Sequence, residues 1–503
     1  MPLCVRFHLA ETMRRSKFYA LVIALITIST FIYFVMIVPK TNNLHDVKLR
    51  YFHQRPSNII VNSALPGVPI HKTVVAKKKE TFHQKKFSSI TKKYNNAKNG
   101  FGFFTLNCLK SVDKRHIKIR KQKIYQILMF NNEIVYLYKV FYDDRDSHWG
   151  RKYLQILAVG PKINKTIYVN LWFGKDVTSK SVSSCSITKN GLDTNITSNI
   201  YLQYFFSCEI KDNKIPKYVS LYFDNCTPRS NLLHVEVPER KRKHKFAICI
   251  ETSYGHIDPS VIIEFVEYNK LMGVTSISVY PSIISTNNRK VFQQYEKEGI
   301  ISISETPSPL DGDSWAILML SSPISYNDCM LRQMYSAEYI IPIDFDEILV
   351  PKLSAKNYSE LLNNIDSIYR TKKPFSIYSF PTFLFFTTCG TKINDPKCSN
   401  IFRFVYRLKT IGHLKSIVNP RKCLSVFNHY CKVNFKYLKG PGRVFVDTSV
   451  AVVHHYRKSW SQRFCKQLFS ENLIDTYSKD KFGKRLLKPL QNKYNMFKRL
   501  NLV

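Results

Sequence analysis

Acidic residues are scarce in this chain of 503 residues: 36 Asp and Glu stand against 76 Lys and Arg, a formal net charge of +40. Such an excess raises nucleic acid as a partner. The cations are spread along the whole chain, with local concentrations at 77–79, 118–123 and 240–245, which argues against a nucleic-acid footprint. They read as a solvated basic surface, with anionic membranes or acidic substrates as the alternative. Zinc-type spacing is missing too: among 12 cysteines no C-x-x-C pair finds a matching second pair, which excludes the usual structural zinc site.

Long apolar runs are rare, and the one near the N-terminus is informative. Residues 18–38 (FYALVIALITISTFIYFVMIV) are uncharged and long enough to cross a bilayer as a helix. Arg6, Arg14, Arg15 and Lys17 precede the run, and no small-residue cleavage site interrupts it before Pro39, so it reads as an uncleaved signal anchor. The basic flank predicts a cytosolic tail at 1–17 and a luminal or extracellular remainder, although Lys40, Lys48 and Arg50 follow on the far side. Four N-x-S/T sequons, at Asn164, Asn195, Asn225 and Asn357, agree with a type II membrane protein of the secretory pathway, the Golgi being the expected compartment. Cys4 lies before the anchor and 11 cysteines after it, an odd number that leaves at least one unpaired or intermolecular. Cys249, inside an apolar run, is the expected buried free thiol. Cys389 and Cys398 bracket a short polar loop and are the expected local disulfide.

Residues 39–100 are rich in Lys, Asn, Ser, Gln and His with little periodicity, which fits a flexible stem. From 101 to 240, short β-rich runs (EIVYLYKVF at 133–141, LQILAV at 154–159, TIYVNLW at 166–172, YVSLYF at 218–223) alternate with turn clusters and predict a largely antiparallel β module. The acidic turn Asp143-Asp144-Arg145-Asp146 falls between strands and reads as solvated. After the basic linker the rhythm changes. FAICI at 246–250 is a buried strand, Asp258-Pro259 opens a helix that Gly273 stops, and TSISVY at 275–280 is a second strand. A further helix ends at Gly299, and IISIS at 300–304 is a third strand. Strands alternating with helices imply an α/β fold with a mixed, mainly parallel sheet, whose ligands bind beyond the carboxyl ends of the strands.

At such an end YIIPI (339–343) runs directly into Asp344-Phe345-Asp346-Glu347. Three acids against buried sequence repel one another unless a cation sits between them. Alternation lets Asp344 and Asp346 share one side of an extended segment while Phe345 anchors the other. Two such oxygen donors suit Mn²⁺ or Mg²⁺ with positions left for substrate phosphates; solvated acids at a strand end are the plain alternative. Upstream, Asp328 and Arg332 on a helix either form a surface pair or touch a nucleotide and its phosphates. Downstream, AVVHHYR (451–457) closes an apolar strand: His454 and His455 are either structural or supply a third metal ligand, and Arg457 could hold a diphosphate.

Taken in order, FAICI, IIEFVEYNKLMGV (262–274), NDCMLR (327–332), YIIPIDFDEILVP (339–351), KSIVNP (415–420) and AVVHHYR resemble glycosyltransferase family 92 over roughly 244–490, and FYDDR (141–145) is similar to a segment often found upstream. The resemblance implies a GT-A type nucleotide-sugar-binding domain at 244–490, behind the β-rich module. It implies transfer of a sugar, galactose favoured, from a UDP-sugar to a glycan such as a fucosylated N-glycan, with inversion and Mn²⁺ dependence. Asp344 and Asp346 match the family's metal-binding Asp-x-Asp. The chain departs from the family pattern where Glu251-Thr252-Ser253-Tyr254-Gly255 replaces a proline-containing turn, which leaves the donor sugar open. An inverting transfer needs a carboxylate base. Asp313, in a loop beside Trp315, and Glu347 are the two candidates, Glu347 serving alternatively to support the metal ligands. The competing reading is a catalytically silent, lectin-like glycan binder.

Overall fold

The computed structural model describes residues 124–502 apart from 146–149, 174–177, 190–200, 224–230, 256, 306–313, 390–398, 428–430, 435–440, 458–461 and 472. The apolar run 18–38 and the stem lie outside them. Among the described residues no helix is long and apolar enough to cross a membrane.

Period-two alternation builds the first layer. Strands β1 (Gln126–Phe130), β2 (Glu133–Asp143), β3 (Lys152–Gly160), β4 (Ile167–Phe173), β5 (Thr178–Lys189), β6 (Leu202–Ile210), β7 (Tyr218–Tyr222) and β8 (Leu233–Glu236) form one sheet in the order β1-β2-β3-β6-β5-β4-β7-β8. All neighbours in that order are antiparallel, and β8 then returns to pair in parallel with the far half of β2, closing the sheet into a barrel without free edges there. In β2 the interior positions are Val135 and Leu137, then Val140 and Tyr142 after an irregularity between Leu137 and Lys139 that shifts the phase by one residue. Tyr138 and Phe141 consequently face outward, into a second core shared with the rest of the chain.

The next layer is a seven-stranded sheet: β9 (His244–Gly255), β10 (Val274–Ile284), β11 (Ile301–Ile303), β12 (Ala337–Pro342), β14 (Ile377–Phe380), β17 (Lys415–Val418) and β20 (Arg443–Phe445), in the order β11-β10-β9-β12-β17-β14-β20. Strands β11, β10, β9 and β12 are mutually parallel, β17 is antiparallel to both its neighbours, and β14 and β20 are parallel, as the predicted mixed, mainly parallel sheet requires. Helices α1 (Pro259–Leu271) and α2 (Thr286–Lys297) make the crossovers. Asp258 caps α1 through the Ser260 amide, and Gly273 and Gly299, with φ of 94° and 77°, take the left-handed conformation that ends each helix. β9 is buried on both faces: Phe246, Ile248 and Ile250 face one core, and Ala247 and Cys249 face the core shared with the barrel. Helix α3 (Ser314–Gln333) lies in that shared core, which is why Tyr326, Asn327, Asp328, Cys329, Met330 and Leu331 are all buried.

A five-stranded sheet, β13 (Glu347–Pro351), β15 (Thr382–Phe386), β16 (Tyr406–Ile411), β21 (Ala451–Arg457) and β22 (Leu473–Ile474), runs in the order β13-β21-β15-β16-β22. A hairpin of β18 (Cys423–Val426) and β19 (Cys431–Asn434) and helices α4 (Tyr358–Ile368), α5 (Asn400–Arg403), α6 (Gln462–Glu471) and α7 (Tyr477–Arg499) complete the fold.

The cysteine expectations are corrected. Cys249 is no free thiol: it is bonded to Cys329, joining β9 to α3. Cys389 pairs with Cys465 of α6 rather than with Cys398, which lies outside the described residues. Cys185–Cys208 and Cys423–Cys431 make four disulfides in all among the described residues. Helix packing brings partners distant in sequence within reach, which spacing along the chain cannot reveal.

Candidate active site

The parallel strand β12 ends at Pro342, and one more sheet bond, from the Ile343 amide to the Cys249 carbonyl at 3.2 Å, carries the chain to the edge of the sheet. There it turns, the Glu347 amide bonding the Asp344 carbonyl at 3.1 Å, and leaves as β13. Phe345 anchors the turn, as alternation predicts: its ring packs against Phe292 and Phe265 at 5.5 and 5.1 Å between centroids. The carboxylates on either side do not converge on one point. Asp344 accepts from the Tyr326 hydroxyl at 3.0 Å and pairs with Lys415 Nζ at 2.8 Å. Asp346, with 42% of its side chain exposed, meets His455 Nε2 at 3.2 Å. Glu347 lies beneath, 2% exposed, with Lys415 Nζ 2.8 Å from one oxygen and His455 Nδ1 3.3 Å from the other.

Strand pairing produces this arrangement. β13 and β21 are antiparallel with Glu347 opposite His455, and the Tyr456 amide donates to the Asp346 carbonyl at 2.7 Å. His455 and Arg457 share one face of β21, and His454 takes the other. His454 is fully buried against Phe385, with its Nδ1 3.3 Å from the Tyr456 hydroxyl and its Nε2 without a hydrogen bond, and burial pushes its pKa down to about 4. The two histidines therefore divide: His455 joins the acidic turn and His454 belongs to the core.

The charges are mutually adjusted. Burial would lower the His455 imidazole, yet Asp346 and Glu347 raise it above its ordinary value. Desolvation would raise Asp346, yet His455 beside it holds its carboxyl below the usual carboxylate range. Burial raises Glu347, with Lys415 offsetting part of the rise. Lys415 itself is raised, because Asp344 and Glu347 overcome its burial. Glu251, at the carboxyl end of β9, belongs to the same cluster: burial and then Asp344 push it well above the carboxylate range.

Asp328 and Arg332 are not brought here. Asp328 is fully buried on α3, bonded to Tyr280 at 2.7 Å, Arg332 at 2.8 Å and Lys139 of the barrel at 3.2 Å, and Arg332 also pairs with Glu236 of β8 at 2.7 Å. These two link the barrel to α3, whereas Tyr326, two residues away and so across the helix, faces Asp344. Asp313, Asn195 and Asn225 lie outside the described residues. Asn164 is exposed. Asn357 caps α4, its side chain accepting from the Glu360 amide at 2.9 Å and donating to the Glu360 carboxylate at 3.0 Å. Residue-type reasoning passed over Lys415, Tyr326 and Glu251; the one available signal was a lysine opening the apolar strand KSIV.

Two donors of the cluster fit a divalent ion. Ligands about 2.1 Å from an octahedral centre lie about 3 Å from each other when adjacent, and Asp346 Oδ2 and His455 Nε2 stand 3.2 Å apart at the open side of the turn. Among the described residues no group of three or more His, Cys, Asp or Glu side chains is arranged to hold a metal. Such a site would leave most of its positions to phosphate and water, as Mg²⁺ and Mn²⁺ sites do.

Comparison with known proteins identifies the family. The family model of glycosyltransferase family 92 matches residues 244–497, from β9 through most of α7. A Caenorhabditis elegans protein, beta-1,4-galactosyltransferase galt-1, is 23% identical over 256 residues, which cover 46% of this chain and 55% of that protein. A second, glycosyltransferase family 92 protein F55C10.4 of the same organism, is 25% identical over 161 residues, 30% of each chain. The match thus spans about half the length of the first relative and less than a third of the second. With the family model covering half of its length, including the acidic turn, Lys415 and His455, the chain belongs to glycosyltransferase family 92.

Proposed function

We propose that this chain is a metal-dependent glycosyltransferase that transfers a sugar, galactose favoured, from a UDP-sugar to a glycan with inversion. The observation that carries the reading is the Asp346–His455 pair, 3.2 Å apart at the carboxyl end of the parallel strands and backed by Glu347. Asp346 and His455 would hold Mn²⁺ or Mg²⁺, which when bound supplies charge neutralisation for the departing diphosphate. Glu347, 3.3 Å from Nδ1 of His455, would favour a proton on that nitrogen and so the tautomer whose Nε2 can ligate. Buried and paired twice, Glu347 serves to position His455 rather than to reach an acceptor hydroxyl; Asp313 stands as the proposed base. Lys415 sits 2.8 Å from both Asp344 and Glu347 and offsets the charge of the two carboxylates. Arg457, next but one to His455 on the same face, would take charge from a diphosphate. Four disulfides among the described residues favour an oxidising compartment, in keeping with a signal anchor at 18–38 and a luminal, Golgi-type location.

The test is transfer by the full chain, supplied with Mn²⁺, a panel of UDP-sugars and fucosylated glycans, beside Asp346→Asn. The expected result is metal-dependent transfer that drops by about 100-fold or more in the variant. Glycan binding equal in both proteins, with no donor turned over, would instead support the lectin-like reading.

A further inference from the structure

Two residues of the turn that reads as solvated in the sequence, Asp143 and Arg145, are buried. Asp143 and Arg145 are 0% and 1% exposed, and the Arg145 guanidinium forks onto Asp143, Nε to Oδ1 at 2.7 Å and Nη2 to Oδ2 at 2.6 Å. Asp143 is itself held by the barrel: Gln155 of β3 donates to its Oδ2 at 2.9 Å, and Ser207 of β6 donates to Gln155 at 2.6 Å. The remaining reach of Arg145 crosses to the other layer. Its Nη1 donates to the carbonyls of Pro420 and Cys423, each at 2.6 Å. Those carbonyls bracket the short 3₁₀ turn Pro420–Lys422 that directly follows β17, the strand opened by Lys415.

We infer that Arg145 is a positioning residue for the transfer: it clamps the end of β17 to the barrel and thereby holds Lys415 between Asp344 and Glu347. The inference rests on the functional reading above. β17 is only four residues long; β14 pairs with all of it, Lys415 opposite Phe380, but β12, the strand that leads to Asp344, meets it through the single pair Ile340 and Val418 and does little by itself to fix β17 against the acidic turn. The clamp and the Asn419 amide, which donates to the Ser376 carbonyl at 2.8 Å, supply fixed points at its far end. A shift there moves Lys415 Nζ off two oxygens that it meets at 2.8 Å, and Glu347 then no longer holds His455 under balanced charge. Stability alone does not explain the choice of residue, because a buried ion pair is often replaceable by well-packed apolar side chains. Direction does: only a guanidinium presents enough rigid donors to bind one carboxylate by two bonds and two carbonyls at once.

The test compares the full chain with Arg145→Lys, which keeps the charge and loses the fork, and with Gln155→Leu, a milder variant that loosens Asp143. Acetylation of lysines by a water-soluble acetylating reagent, read by mass spectrometry, reports on Lys415 directly, with Lys352 as internal reference. Lys415 should become about tenfold more reactive in Arg145→Lys, and less so in Gln155→Leu, while Lys352 stays unchanged. With UDP-galactose and Mn²⁺, kcat should fall about 100-fold in Arg145→Lys with KM for the donor unchanged. Unchanged protection of Lys415 in folded variants, or a rise common to all lysines, overturns the clamp and leaves a structural ion pair. A wild-type chain that turns over no donor overturns the transfer reading instead, and the labelling then decides the clamp by itself.

Discussion

Single residues in this protein draw their roles from the charge of their neighbours. The same residue type behaves in opposite ways at adjacent positions: His455, between two carboxylates, is raised, and His454, facing apolar rings, is lowered to about 4. Glu264 shows the same principle away from the site. Buried on α1, it accepts from the amides of Asn400 and Ile401 at 2.8 and 2.9 Å, and burial outweighs those bonds to push its pKa up to about 7. A folded-state value above the unfolded one means that the folded chain binds the extra proton. The stabilisation is complete below about pH 4.5 and is lost as pH rises to about 7, a change of up to about 3 kcal/mol. Glu264→Gln should flatten that part of the curve of unfolding free energy against pH, measured by denaturant titration of both proteins. Identical slopes between pH 4.5 and 7 would show that Glu264 titrates normally.

At the scale of elements, the acidic turn is positioned by its one apolar residue. Phe345 binds the turn between β12 and β13 to α1 and α2 through Phe265 and Phe292, so the carboxylates depend on a helix contact behind them. Phe345→Ala should cost about 3–5 kcal/mol of stability from the lost burial and the cavity. On the proposed function Mn²⁺ with UDP should raise the melting temperature of the unaltered chain, and Phe345→Ala should weaken that rise, because Asp346 loses its anchor. A calorimetric scan with and without Mn²⁺ and UDP checks both effects, and an undiminished Mn²⁺ response would separate the anchor from the site. The extent of this element was legible in the sequence: the apolar strand, the alternation and the two glycine stops of α1 and α2 lie where the pattern places them. The partition of Asp344 toward Lys415 and of Asp346 toward His455 was not, since it depends on β17 and β21 arriving from 70 and more residues downstream.

Across the whole molecule, the barrel and the catalytic layers share a core and are cross-linked by polar contacts at Arg145, Lys139 and Arg332. The disulfides add covalent ties of very different span. Cys249 and Cys329 are 80 residues apart, and Cys423 and Cys431 only 8. In the chain-entropy model, closing the longer loop is worth about 4.5 kcal/mol and the shorter about 2.5 kcal/mol. Removing each pair by double Cys→Ala substitution should therefore lower the free energy of unfolding in that order. Denaturant titration of the two variants checks it, and a larger loss from the hairpin pair would mean that native packing rather than loop closure dominates.

Local physics was sufficient for the sequence by itself to determine the strand and helix rhythm from 246 to 304, the caps of α1, the burial of Phe345 and the gathering of acids at a strand's carboxyl end. Each of these depends on residues within a few positions of one another. Only the tertiary structure decided that Asp143 and Arg145 are buried, that Cys249 meets Cys329, that His455 rather than His454 faces Asp346, and that Lys415 lies between two carboxylates. A buried charge is tolerated only where a partner of opposite sign reaches it, and here those partners come from strands and helices far away in the chain.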